Sequence, residues 1–165
     1  MKIPNIIQKL IENEFWPNKN NVDQQNIKQL VDFNLIKQII PEEDNLYFYS
    51  PPFVTINRLL KRGDAFFLMP EVKDSLEQID VNKTVLIGDF GIGSETELAL
   101  NYSDSENYPS VIRLKWFYDY DNHLRWAKWV RVSDSFDEFA RLAGLKVDEN
   151  NQDYKHDNKI EYIIG

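Results

Sequence analysis

Gly88-Asp89-Phe90-Gly91-Ile92-Gly93-Ser94, entered from the apolar run Thr84-Val85-Leu86-Ile87, decides how this chain folds. Half of the six glycines fall within this stretch. An apolar, partly β-branched run that ends in a glycine-dense turn reads as a strand leaving a sheet into a tight loop. The alternation over residues 95–101 reads as a second strand coming back. Gly88, Gly91 and Gly93 supply backbone freedom, with positive φ expected in the turn, and Asp89 is placed to accept from nearby amides. The corner is therefore expected to be architectural.

Downstream, strand-like segments occupy residues 85–88, 97–102, 111–116 and 129–132. Residues 103–109 form a polar connector, and residues 118–123 form a long hairpin tip or loop. Strands that follow one another this closely pair most economically as an antiparallel meander. Ser135-Phe136-Asp137-Glu138 then fits a capping box, with Ser135 as N-cap and Glu138 reaching back to it. The helix it opens carries Phe136, Phe139, Ala140 and Ala143 on one face. It ends at Gly144, and Leu145 is free to fold back on the last turn. Residues 146–165 read as a polar extension whose Ile160-to-Ile164 stretch could add an edge strand.

Upstream, Ile6, Ile7, Leu10 and Ile11 predict a short amphipathic helix over residues 4–15, stopped near Trp16-Pro17. Asp23 is positioned to cap a second helix, with Ile27, Leu30 and Val31 on one face and Leu35 beyond. Residues 46–49 read as a strand broken by Pro51-Pro52, with residues 53–56 continuing it in extended form. Residues 56–61 read as a helical turn. Residues 65–69 fit either a strand or a buried loop, and residues 72–79 fit a loop with some helix.

At 165 residues, one domain over residues 1–165 is the natural count. A hydrophobic content of 42% argues for a globular chain. Aromatics cluster at residues 47–49, 66–67 and 116–120 and at Trp126 and Trp129, a pattern that points to core packing or, second, to a sheet face that something else covers. The formal net charge of −8 repels phosphate backbones, disfavours direct nucleic-acid binding and favours basic partners, although on charge alone acidity for solubility is the plainer reading. With no cysteine, disulfides, thiolate chemistry and Cys-based zinc sites are excluded. No run reads as a signal peptide or a membrane span, so a soluble, cytoplasmic protein without membrane contact is expected.

No motif here carries catalysis. Gly88-x-x-Gly91-x-Gly93 reverses the dinucleotide spacing and precedes a strand rather than a helix, and no Walker lysine follows. Asp89-Phe90-Gly91 matches a kinase tripeptide, but the chain lacks the other kinase signatures. His123 and His156 have no ligand at metal spacing. Asp119, Asp121 and Asn122 near His123 read as a solvated loop. The pairs Glu42-Glu43 and Glu12 with Glu14 read as solvated faces. No catalytic residue, metal or cofactor is expected.

Several segments in order resemble the SUKH superfamily, the Smi/Knr homology group. They are Pro51-Pro52-Phe53, the block from Val85 to Ser94, Pro109-x-Val111-Ile112-x-Leu114-x-Trp116, Trp129-Val130-x-Val132, and Ser135-Phe136-Asp137-Glu138-Phe139. The resemblance spans residues 46–145. Asn101 departs from it, standing where relatives often carry aspartate. It implies an α+β fold, with a twisted, largely antiparallel sheet of five or six strands and helices packed against it. It also implies a non-catalytic protein-binding role, foremost as an immunity protein that neutralises a cognate bacterial toxin. The alternative is a regulatory scaffold or ligand-binding module. The acidic surface suits a basic nuclease toxin, and Glu95, Asp104, Glu106, Asp119, Tyr120 and Asp121 are the candidate contact residues.

Overall fold

The computed structural model describes residues 1–18, 27–91 and 96–146. In chain order the elements are α1 (Asn5–Glu12), β1 (Ile27–Gln29), α2 (Phe33–Ile39), β2 (Tyr47–Tyr49), β3 (Val54–Thr55), α3 (Ile56–Lys61), α4 (Pro70–Ser75) and a 3-10 turn (Leu76–Gln78). They continue with β4 (Thr84–Asp89), β5 (Glu97–Asn101), β6 (Ser110–Asp119), β7 (Leu124–Ser133) and α5 (Phe136–Leu142). The strands form one open antiparallel sheet in the order β1-β2-β4-β5-β6-β7, with β3 on the same flank of β4 as β2. The fold is mixed α+β, the class the resemblance implies, and the antiparallel pairing follows the consecutive strand pattern, with seven strands among the described residues in place of the five or six expected.

Every side chain of β4 up to Gly88 is buried, because the strand is covered on both faces. Val85 and Ile87 point into a core with Leu98, Leu100 and Val111 from the sheet. Helices α1, α2 and α5 close that core with Ile7, Leu10, Ile36, Phe136 and Phe139. Leu86, Ala99, Ile112, Leu114, Ala127 and Trp129 point to the other face. There Ile56, Phe67 and Val72 cover them. Side chains of a strand alternate between faces, so successive residues of β4 feed two cores.

β2 and β3 are two pieces of one lane. β2 pairs with Gly88 and Asp89, and β3 pairs with Leu86 and Val85. Pro51-Pro52 separates them, since proline has no amide hydrogen to give to a ladder. The helix ends follow local chemistry. The Ser135 hydroxyl accepts from the Glu138 amide at 3.1 Å, and Gly144 takes φ +66° just past the last turn. Glu138 does reach back, but its carboxylate accepts from the Asp134 amide at 3.1 Å rather than from Ser135.

Two other readings change. Ile27, Lys28 and Gln29 form edge strand β1 against Tyr49, Phe48 and Tyr47 rather than a helical face. The ladder offered by β2 satisfies their backbone and overrides the helical spacing. Helix α2 begins later, where Asp32 accepts from the Asn34 amide at 2.8 Å. Asp23 lies outside the described residues. Residues 65–69 are neither strand nor fully buried loop: they form turns that bury Phe67 and leave Leu68 exposed.

Candidate functional site

Gly88 stands inside β4, not in the turn. A Cβ at this position would meet the Tyr47 carbonyl oxygen at 2.5 Å, so glycine permits a close approach of β2. The β4–β5 register also shifts between Leu86 and Gly88, a local bulge that re-aims the strand end. Beyond it Asp89 Oδ1 accepts from the Gly91 amide at 3.0 Å, and the Phe90 amide donates to the Thr96 carbonyl at 3.3 Å. Gly93 and Glu95 lie outside the described residues, as do His156 and the proposed edge strand near Ile160.

On the face covered by α3, Tyr49 donates its hydroxyl to Glu97 Oε2 at 2.8 Å. Asp89 lies directly opposite Glu97 in the ladder. Burial first, and then the Asp89 charge, push the Glu97 carboxyl up to about 8, while the Tyr49 hydrogen bond acts the other way. Asp64 adds negative charge from the turn after α3, where its carboxylate accepts from the Phe66 amide at 3.1 Å. Among the described residues no group of three His, Cys, Asp or Glu side chains could hold a metal ion.

On the opposite face, Arg113 of β6 is only 4% exposed. It donates to Glu43 Oε1 at 2.7 Å and lies 3.3 Å from Glu42 Oε1. Lys115 also pairs with Glu42, and the Phe90 ring lies 5.8 Å from the guanidinium carbon. Glu42 keeps an exposed side chain, as a solvated face would, but Glu43 is largely covered, and the two join the end of α2 to the middle of the sheet. Burial pushes the Glu43 carboxyl up against the pull of Arg113, whereas the Lys115 bond holds Glu42 low.

The far end of the β6–β7 hairpin is exposed. β5 reaches only as far as Arg113, so Lys115 to Asp119 and their β7 partners project beyond it as a two-stranded ribbon. Five residues at strand rise make this about 17 Å. The strands run closer to the tip than the sequence suggests, which leaves a turn of four residues, 120–123. Asp119 organises the turn by accepting from the amides of Asp121 (3.1 Å) and Asn122 (3.2 Å) and from the Asn122 side chain (2.8 Å). These bonds, that of the Asn122 side chain foremost, hold the Asp119 carboxyl below its usual range. Tyr118 and Tyr120 stack at 6.2 Å between ring centres, 53% and 82% exposed. Tyr118, Tyr120 and Trp126 are therefore surface groups, whereas Trp116 packs on the second core and Trp16, Phe48 and Phe67 are fully core.

Asp119, Tyr120 and Asp121 share this tip. Asp104 and Glu106 lie at the other end of β6, in the connector from β5, so the expected contact residues do not form one patch. Asp104 there pairs with Arg131 at 3.1 Å, and the Glu106 carbonyl accepts from the Lys2 amide. A cleft of about 310 Å³ lies nearby, between Lys2, Asn107, Tyr108 and Asp137. Sequence reasoning missed Arg113, Glu97 and Trp126. An arginine inside the apolar run Val111-Ile112-Arg113-Leu114 was the available signal for the first. Among the described residues no helix is long and apolar enough to cross a membrane. No family model matches this chain, and no curated protein or solved structure matches it.

Proposed function

We propose that this chain is a non-catalytic, cytoplasmic protein-binding domain of the SUKH type, and that it neutralises a cognate bacterial toxin by covering its active cleft. The observation that supports the reading best is the ribbon tip. Two stacked tyrosines stand exposed beside Asp121 at the end of a projecting hairpin. Exposed tyrosines lose little side-chain freedom on contact and anchor interfaces well. Asp121 and the chain's net charge of −8 suit a basic cleft and speed encounter with it. A nuclease toxin, which must attract phosphate, presents such a cleft.

The test is co-expression with a toxin domain encoded beside this chain's gene. Rescue of growth, together with a complex that survives purification, supports the reading. A toxin that kills equally with and without this chain sinks it.

A further inference from the structure

The α1/α2/α5 side of the ribbon has a different character from its tip. Phe117 lies directly opposite Trp126, and Lys115 directly opposite Lys128. The two rings stack at 5.8 Å with 12° between their planes, and Trp126 keeps 37% of its surface exposed. Both ammonium groups sit over the Phe117 ring, at 5.6 and 5.9 Å. This places all four side chains on one face. Like charges directly opposite on a sheet repel one another. Glu42 answers Lys115, but among the described residues no carboxylate pairs with Lys128.

We propose that this face is a docking surface for an acidic, apolar-bearing segment of a partner protein, bound as an extended strip along the ribbon. The partner's carboxylates pair with Lys128, beside the Glu42-paired Lys115, and its apolar side chains cover the Phe117–Trp126 stack. Paired rings and lysines could also serve a single-stranded nucleic acid. The molecule's negative charge opposes a long phosphate chain far more than a short acidic peptide. The surface is distinct from the tyrosine tip, so it stands whether or not a toxin is the tip's partner.

The test uses the full chain and a short fluorescein-labelled peptide that alternates Glu with Leu, read by fluorescence anisotropy. Binding is expected to saturate and to quench the fluorescence of Trp126. It should weaken about tenfold from low to physiological salt, as exposed charge pairs are screened. Lys128→Glu should weaken it by about tenfold or more, the scale of one charge contact reversed. Lys128→Arg should preserve it, and Trp126→Ala should abolish it. Circular dichroism of each variant shows that the fold is kept. Three results overturn the proposal: no saturable binding, equal binding by a Lys-Leu peptide, or tighter binding by an oligothymidylate. Unchanged affinity in folded Lys128→Glu also overturns it.

Discussion

The Arg113 guanidinium, itself buried, reaches the largely covered Glu43, 70 residues away in the chain, through a 2.7 Å hydrogen bond. It ties the segment after α2 to the middle of β6. Removing one partner of such a pair strands a charge, whereas removing both costs little. Arg113→Ala is expected to destabilise the fold by about 3 kcal/mol. Arg113→Leu combined with Glu43→Leu should recover most of that loss. Urea unfolding of the single and double variants checks both, and a double variant no more stable than Arg113→Ala would refute this account of the pair.

Glu97 makes stability depend on pH in an unusual direction. Its carboxyl titrates near 8 in the folded chain, against 4.5 for an unperturbed glutamate. Over that window the folded state holds more protons than the unfolded one, so stability falls as pH rises. Glu97→Gln keeps an acceptor for Tyr49 and removes the charge. Its melting temperature should be flatter with pH than that of the unsubstituted chain and higher above pH 8. Parallel melting curves for the two proteins would contradict the burial of this group.

Gly88→Ala tests the close approach of β2 to β4. The added methyl would press on the Tyr47 carbonyl oxygen, which is backbone and cannot swing away. A cost of about 1–3 kcal/mol is expected, typical of forced overpacking. The urea midpoint measures it, and an unaltered midpoint would rule the contact out.

Ser135→Ala removes the side-chain cap of α5 and should cost about 1 kcal/mol. Ser135→Asp, which can still accept from the Glu138 amide, should retain most of the stability. Equal melting temperatures for the Ala variant and the parent would show that the cap contributes nothing.

Much of the sheet was legible because its signals are local. Val85 to Ile87 is continuously apolar, as a strand covered on both faces must be. Ser135 and Gly144 mark the two ends of α5 by chemistry that acts within one turn. Strand β1 was not legible. Ile27-Lys28-Gln29 has no strand pattern of its own, and only the ladder offered by β2 decides its conformation. The role of Glu43 was hidden for a similar reason, since its partner is remote in sequence. The ribbon was half legible. Trp116-Phe117-Tyr118 announces aromatics, but only the short reach of β5 shows that Phe117 and Tyr118 stand clear of the core.

The ribbon tip carries the functional reading, so its tyrosines test it most directly. Tyr118→Ala with Tyr120→Ala should leave the unfolding free energy within about 0.5 kcal/mol of the parent, because both side chains are exposed. In the co-expression assay with the toxin domain, the parent chain should restore growth and the double variant should fail to do so. Full protection by the folded double variant would contradict binding through this tip.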